Sequence, residues 1–440
     1  MKPLNILLLC NRPVKNADAS TVTDHLDAFL NYSKHNVTQL SFISHLPSRL
    51  DLNRFDAIII HYTIAIGYFR EHYIDKEAME RISKFKGMKI VFIQDEYRSV
   101  NSVLDTLSFL KIDVLFTCLP DGEISKVYSE EDLPDVAKYN TLTGYVPKAL
   151  TKVSVPQVSQ RKVDVAYRTR KPSFWLGELG YEKWQIADLF IKHAGGNELC
   201  LDISYDEADR IYGEKWTEFV SSCKTMLGVE SGASVFDFTG GLQEKVDLYV
   251  AQNPKVSFRD VQDKFLHPYE GLIYLNQISP RCFEAAALRT VMLLFEGEYS
   301  GILKPWEHYI PLKKDFSNFE EVLLALKDDS FLQKIADRAF EEIALNSAYS
   351  YEMFIENFDE SVNKTFEQKA IARSNQNYSA YGYYLTLLLS PRFCVKRLMT
   401  LVFQRIFLGT KIRSIVFRIW GNIPFNIRNV IRPILRMIGR

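Results

Sequence analysis

Two charged side chains open an otherwise apolar stretch of the sequence, SPRCFEAAALRTVMLLFEG, which spans residues 279–297. Residues 285–295 are mostly small or apolar, as expected for a helix and a strand that enter a protein core. Charges at the entrance of a buried element raise the free energy unless they are paired or hold a ligand. Arg281 and Glu284 therefore either pair with each other or with neighbouring groups, or they bind a polar ligand.

Three further cations follow the apolar run VDVAY, residues 163–167. Arg168 and Arg170 come directly after this predicted strand, and Lys183 lies at the start of the next predicted helix. Two guanidinium groups and one ammonium group near a helix N-terminus suit a diphosphate, because they supply hydrogen-bond donors and positive charge. The alternative is an exposed basic loop, since the spacing alone does not distinguish the two.

The segment VESGASVFDFTGG, residues 229–241, follows another predicted strand and is rich in small residues. Gly232 allows a close approach of the backbone to a ligand, and the hydroxyl groups of Ser231 and Ser234 can bind phosphate or ribose oxygens. The segment lacks the Gly-Lys-Ser/Thr ending of a phosphate-binding P-loop. The alternative is a tight turn between a strand and a helix.

Candidate general bases occur in the first third of the chain, where His61, Asp95 and Glu96 follow two predicted strands. Histidine and carboxylate side chains at such strand ends can take a proton from a substrate. For His61 the alternative is a core histidine whose hydrogen bonds are satisfied. For Asp95 and Glu96 the alternative is that they cap the next helix.

Short apolar runs alternate with helical patterns through residues 1–150. The predicted strands are 5–10, 37–42, 56–62, 89–94, 113–118 and 141–147, and the predicted helices are 21–34, 74–86 and 101–110. Continuous apolar strands separated by helices indicate a parallel sheet that is covered on both faces. The polar segment 151–162 contains a proline and no periodicity, which predicts a linker.

The same alternation resumes over residues 163–346 and predicts a second domain of similar type. Its predicted strands are 163–167, 197–204, 225–230, 271–276, 290–295 and 309–312, and its predicted helices are 181–194, 214–223, 281–289, 317–328 and 330–346. The fold class is therefore α/β, with two Rossmann-like domains that face a cleft. Ligands of open parallel sheets bind beyond the carboxyl ends of the strands. Residues 347–379 continue as a helical segment that can pack back across the domain junction.

Charge is distributed unevenly, although the net formal charge is zero. Of the 54 Lys and Arg residues 13 follow Glu367, whereas all 54 Asp and Glu residues lie at or before it, so an acidic body precedes a basic end. Residues 380–440 interleave these cations with aliphatic residues, which predicts a basic amphipathic tail on an anionic membrane surface. The alternative is a helical hairpin packed on the body. Six scattered cysteines and the absence of a cleavable leader or an apolar run long enough to span a membrane predict a cytoplasmic protein.

Residues 279–326 resemble the C-terminal region of GT-B glycosyltransferases, in particular the bacterial CgeB-like group and family-1-type enzymes. The resemblance rests on an Arg-x-Phe-Glu-Ala helix, a strand, a Glu-Gly-Glu loop, a Tyr-x-Pro strand and a Lys-Asp-Phe helix entry. It is best over about 160–345, concerns only the fold over 1–150, and does not cover 366–440.

The resemblance implies roles for several of these residues. Glu284 matches the second acid of an E-x7-E motif and would contact the donor ribose or sugar, but the first acid is replaced by Asn276. Arg281, and Arg168 or Arg170 with Lys183, would bind the donor diphosphate. Asp95, Glu96 or His61 would act on the acceptor. Arg289 stands where the family prefers a small residue.

The resemblance further implies a glycosyltransferase that needs neither a metal nor another cofactor. We expect a UDP-, GDP- or dTDP-linked sugar as donor and a saccharide or lipid-linked acceptor, in bacterial surface polysaccharide or glycolipid synthesis. We expect the protein on the cytoplasmic face of the inner membrane, with no nucleic-acid partner. Two alternatives stay open. One is a non-catalytic GT-B-like scaffold subunit docked at the membrane, and the other is a nucleotide-sugar epimerase of the same fold.

Overall fold

The computed structural model describes residues 2–13, 19–68 and 70–371 of the chain. The predicted basic tail, residues 380–440, lies outside the described residues, and so does the end of the segment 347–379. Within the described residues no helix combines the length and the apolar character that a membrane span requires.

The N-terminal domain is built on a six-stranded parallel sheet in the order β2-β1-β3-β4-β5-β6. Its strands are β1 (Asn5–Cys10), β2 (Asn36–Ser41), β3 (Ala57–Ile60), β4 (Met88–Phe92), β5 (Val114–Thr117) and β6 (Ala137–Asn140). Its helices are α1 (Ser20–Tyr32), α2 (Arg70–Tyr73), α3 (Lys76–Ser83), α4 (Val100–Leu110) and α5 (Asp121–Val127). Every residue of β3, β4 and β5 is buried, which explains why these strands are apolar except for Lys89 in β4 and Thr117 in β5.

The C-terminal domain contains a five-stranded parallel sheet in the order β11-β10-β9-β7-β8. Its strands are β7 (Val163–Arg168), β8 (Leu201–Ser204), β9 (Cys223–Gly228), β10 (Val291–Phe295) and β11 (Tyr309–Leu312). Its helices are α6 (Gly177–Ala194), α7 (Glu214–Ser222), α8 (Gly241–Gln252), α9 (Phe258–Val261), α10 (Pro280–Ala287), α11 (Phe319–Leu326) and α12 (Asp329–Ala339). The predicted fold class, two Rossmann-like α/β domains, is confirmed.

The last described helix, α13 (Tyr351–Gln368), returns from the C-terminal domain to the N-terminal one. Phe354, Phe358 and Val362 lie in the core of the N-terminal domain, together with side chains of α1 and β4. Asp359 is buried and accepts hydrogen bonds from the Ser33 hydroxyl and the Lys34 amide at the end of α1. The N-terminal core is therefore completed by a segment from the other end of the described chain.

Two predicted strands are wrong. Residues 141–147 form no strand, because the sheet ends one segment earlier at β6 and the Val146 amide turns to the carbonyl of Tyr349. Residues 271–276 form no strand either, because this segment crosses to the N-terminal domain, where the Tyr274 amide donates to Glu123 on α5. The helices α8 and α9, in the long connection from β9 to α10, were not predicted.

Candidate active site

The candidate site lies where the carboxyl ends of the two parallel sheets face each other. The chain leaves β7 for the edge strand β8 and returns on the other side at β9, so the C-terminal sheet has a switch point between β7 and β9. Such points are the usual ligand-binding positions of open α/β sheets. Arg170 follows β7, Glu230 follows β9, and Asp95 follows β4 of the opposing domain.

Lys183 lies in the second turn of α6, which begins at Gly177 and not at the predicted residue 181. Its ammonium group lies 3.4 Å from the carbonyl oxygen of Gly232. Burial lowers the pKa of Lys183 to about 8; the Asp95 carboxylate opposes this, and the charges of Arg170 and Arg281 add to the decrease. The groups that shift the pKa of Lys183 show that three cations and one carboxylate, from both domains, lie close together here.

The three cations have no anionic partner of their own. In the described part of the chain no carboxylate lies within ion-pair distance of Arg170, Lys183 or Arg281. Arg170 is exposed and Arg281 is partly exposed, so both can reach a ligand. Repulsion among these cations, which the charges of Asp95 and Glu284 offset only in part, favours the binding of an anion there.

Arg281 stands in the first turn of α10. The cap residue Ser279 makes no side-chain hydrogen bond to the helix, and Pro280 occupies the first turn, where it has no N–H to satisfy. Pro280 has no N–H and the Cys282 N–H donates to the Ser279 carbonyl, so the Arg281 N–H remains at this helix start. Together with the Arg281 guanidinium it forms an anion-binding arrangement. The guanidinium carbon lies 5.5 Å from the centre of the Trp216 ring on α7, which restricts its orientation.

Glu284, one turn further along α10, is buried, and within the described residues it forms no ion pair with Arg281. Of the pairing alternatives, pairing with neighbouring groups is realised for Glu284. Its carboxylate accepts hydrogen bonds from the Trp216 indole N–H, at 2.8 Å, and from the Ser20 hydroxyl of the opposing domain, at 3.4 Å. Burial raises the pKa of Glu284, while the Trp216 hydrogen bond and the Arg281 charge act in the opposite direction. Glu284 therefore joins the two domains at the cleft.

Arg168 is turned away from this cluster. Its guanidinium donates to the Asp202 carboxylate of β8 at 2.6 Å and lies over the Phe219 ring at 4.5 Å. Of the two arginines that could match the family pattern, only Arg170 is left free for a ligand.

The small-residue segment after β9 binds protein groups. The Ser231 amide and carbonyl pair with Gln277. Gly232 has φ +110°, and a Cβ there would lie 1.7 Å from the Leu275 carbonyl oxygen, so the position requires glycine. Ser234 accepts from the Leu179 amide and donates to Glu270. The predicted donor contact of Ser234 is therefore not supported, since its hydroxyl is already used, whereas the predicted contacts of the Ser231 hydroxyl and of Gly232 stay predictions.

Glu270 explains why the N-terminus of α6 is not the anion site. Its carboxylate accepts from the Glu178 amide at 2.7 Å, so the start of α6 already has a carboxylate bound to it. The start of α10 is left as the helix terminus available to a phosphate. Asn276, the predicted replacement for the first motif acid, donates to Glu230 at 2.7 Å and holds the loop after β9.

The three predicted bases occupy different environments. His61 has no exposed surface and lies 2.9 Å from His25, and burial holds its pKa well below the usual range. Glu96 is buried and accepts from Thr117, Cys118 and Tyr128, and burial raises its pKa to about 7. Neither side chain reaches the cleft, so the structure does not support them as bases.

Asp95 is exposed at the end of β4, in a left-handed conformation with φ +54°, and accepts from the Tyr97 hydroxyl at 2.7 Å. Sequence reasoning missed two residues of the site, Asp24 on α1 and Trp216 on α7. Asp24 lies opposite Glu284, whose charge contributes to the raised pKa of Asp24. Both residues belong to predicted helices, but nothing in the sequence indicated which helical face would meet the cleft.

Arg289 has a clear structural role. It follows the end of α10 with φ +50°, the conformation for which glycine is usual after a helix. Its guanidinium pairs with Asp337 on α12 and lies 3.8 Å from the centre of the Phe340 ring. These contacts offset the strain of a left-handed arginine, and they explain how the chain tolerates this residue where a small one is preferred.

Comparison with known proteins supports the fold. No protein-family model matches the chain, and neither does any curated protein. A solved alpha-glucosyltransferase in complex with UDP-glucose and abasic-site DNA matches with a TM-score of 0.51 and 14% identity, over 82% of this chain and 100% of the other. An alpha-glucosyltransferase in complex with UDP and a 13-mer DNA containing an HMU base matches with a TM-score of 0.50, at the same identity and coverage.

These two neighbours correct one expectation. The exclusion of nucleic acid as a partner is wrong, because both neighbours are bound to DNA. The chain has the GT-B glycosyltransferase fold.

Proposed function

We propose that the protein is a glycosyltransferase that uses a nucleotide-activated sugar. The observation that carries this proposal is the group of Arg170, Lys183 and Arg281, three cations to which the described residues offer no ion-pair partner, beside a helix start without a side-chain cap. A nucleoside diphosphate provides the negative charge that this arrangement lacks. Its phosphates would bind between the start of α10 and the second turn of α6.

The same cations would assist the reaction. When the bond between the sugar and the diphosphate breaks, negative charge develops on the leaving phosphate oxygen, and fixed donors in a cleft stabilise that charge. Arg281 belongs to the first turn of α10, and the Trp216 ring, 5.5 Å from its guanidinium carbon, restricts its orientation. We propose that these groups replace the metal ion that other transferases use, so that no cofactor is needed.

Glu284 would contact the ribose or the sugar, as the family pattern implies. Its bond to the Ser20 hydroxyl is long, at 3.4 Å, whereas its bond to Trp216 is short, at 2.8 Å. We propose that a ligand hydroxyl replaces Ser20 and that Trp216 keeps the carboxylate in place. Donor binding would then replace one direct hydrogen bond between the two domains.

The acceptor supplies a hydroxyl group, and two classes deserve testing. The family resemblance supports a saccharide or lipid-linked acceptor of bacterial surface polysaccharide or glycolipid synthesis. DNA is the second class of acceptor, because both structural neighbours are bound to DNA. Transfer from UDP-glucose, the compound bound by one neighbour, to each class separates them.

Thermal-shift measurements with UDP, GDP, dTDP and their glucose conjugates test the proposal, since a ligand that binds only the folded state raises its stability. We expect one nucleotide to raise the unfolding temperature of the wild type. Arg281→Ala and Lys183→Met should abolish that rise. The controls Arg338→Ala and Lys192→Met change exposed residues on helices α12 and α6 and should leave the rise intact.

The turnover of a bound nucleotide sugar separates the alternatives. A transferase releases nucleoside diphosphate when an acceptor is added, an epimerase converts the donor without one, and a scaffold subunit binds the donor unchanged. Nucleotide binding that survives both Arg281→Ala and Lys183→Met would disprove the assigned site.

A further inference from the structure

Asp24 is a carboxylate of the cleft that has no partner. It lies on α1 one turn after Ser20, whose hydroxyl contacts Glu284 of the opposing domain. In the described part of the chain it makes no hydrogen bond and no ion pair, and it is only partly exposed. An unpartnered, partly buried carboxylate is unfavourable for stability, so a role in ligand chemistry is the natural reason for it.

The groups around Asp24 make it a good proton acceptor. Glu284 faces it from α10, Asp27 lies on its own helix, and the phenol of Tyr351 approaches it from α13. Burial, and next to it the charges of Glu284 and Asp27, raise the pKa of Asp24 to about 6. A general base is most effective when its pKa lies near the working pH.

Asp95, the other carboxylate that the N-terminal domain presents, is differently placed. Its oxygen already accepts the Tyr97 hydroxyl at 2.7 Å, and its charge acts on Lys183. A carboxylate that is held by a donor and faces a cation is better suited to orient that cation than to remove a proton.

We infer that Asp24 is the catalytic base that takes the proton of the acceptor hydroxyl, while Asp95 orients Lys183. This inference rests on the proposed function. The acceptor oxygen forms a bond to the anomeric carbon as the bond from that carbon to the diphosphate oxygen breaks. The electron pair stays on the diphosphate, which Arg281 and Lys183 stabilise, and the proton ends on Asp24.

The test uses the full-length protein, UDP-glucose as the donor probe, and water or simple alcohols as acceptors. We expect Asp24→Asn to lower kcat between about 100-fold and about 10,000-fold, the range for loss of a general base, with KM for the donor changed less than about threefold. The acidic limb of the wild-type pH–rate profile, near pH 6, should disappear.

Asp27→Asn is the matched control, one turn further along the same helix. It removes a charge that raises the pKa of Asp24, and it leaves Arg12 without the carboxylate of Asp27 that it pairs with, while the base itself stays in place. We expect kcat to stay within about threefold and the acidic limb to move to lower pH. Folding of Asp24→Asn is checked independently, because removal of a partly buried carboxylate should raise the unfolding temperature at pH 8 but not at pH 4.

The outcomes distinguish this inference from the proposed function. The inference is overturned if Asp24→Asn retains more than a tenth of the wild-type kcat. It is also overturned if Asp95→Asn, and not Asp24→Asn, shows the large decrease in kcat expected for loss of a general base. If the wild type binds none of UDP, GDP and dTDP, the proposed function itself fails. Binding of UDP-glucose without release of UDP to any hydroxyl acceptor refutes both. An Asp24→Asn variant that does not fold is replaced by Asp24→Ser, which is judged by the same limits.

Discussion

Binding of a nucleotide sugar to the cleft should be accompanied by proton uptake at Lys183. In the free protein burial and the neighbouring arginines hold the pKa of Lys183 at about 8. A bound diphosphate favours the charged ammonium form and raises that pKa towards its ordinary value. The free protein therefore carries fewer protons than the complex whenever the pH is near or above 8, and binding must weaken as the pH rises.

The size of the effect follows from the two protonation states. At pH 8 about half of the lysines are neutral before binding, so about half a proton is taken up per nucleotide, and at pH 6.5 almost none is. The affinity should fall about fourfold between pH 7 and pH 8.5, from this group alone. A nucleotide sugar is the appropriate ligand, because its diphosphate is substituted at both ends and does not titrate in this range.

Isothermal titration calorimetry of UDP-glucose in two buffers with different ionisation enthalpies measures the proton uptake directly. Lys183→Met should abolish both the uptake and most of the affinity. Lys192→Met, an exposed lysine at the other end of the same helix, should change neither. If the wild type binds the ligand at pH 8 with no proton uptake, Lys183 does not contact the diphosphate and the reasoning is refuted.

Three further predictions concern single contacts. Arg161 is buried and donates to three carbonyl groups and one hydroxyl, so Arg161→Ala should lower the free energy of unfolding by at least about 3 kcal/mol in urea titrations; a smaller loss would show that water replaces it. Trp216→Phe keeps a ring beneath Arg281 but removes the N–H that is bound to Glu284. Calorimetry should show nucleotide binding about 10-fold weaker. An unchanged affinity would exclude Glu284 from the donor site. Arg289→Gly should be more stable than Arg289→Ala by about 1 kcal/mol in thermal unfolding, because only glycine adopts the left-handed conformation without strain; equal stabilities would contradict this.

Much of the fold is visible in the sequence. A strand such as β3 is buried on both faces, so it is a continuous apolar run that can be recognised without its neighbours. The start of α10 is likewise local, since Ser279 and Pro280 are residues typical of a helix start and Arg281 follows them. Segment 271–276 misled the prediction because it is an apolar run whose side chains alternate between buried, Ile273 and Leu275, and exposed, Leu272 and Tyr274, although the segment belongs to no strand.

The site could be predicted only in part. The sequence indicated Arg170, Lys183, Arg281 and Glu284, because each follows a strand or opens a helix. It did not distinguish Arg170 from Arg168, since the choice depends on Asp202 in a strand that is 34 residues away along the chain. Although these two arginines are only two residues apart in the sequence, their side chains have different neighbours in the structure.

The sequence by itself determined two parallel α/β sheets and the cations that stand at their carboxyl ends, because apolar runs and helix starts depend on neighbouring residues. Only the tertiary structure decided which groups are free. Glu270 occupies the start of α6, and His61 and Glu96 lie inside the N-terminal domain. The closeness of Asp24 and Glu284 depends on how two domains pack, and no local pattern records the contact of residues separated by most of the chain.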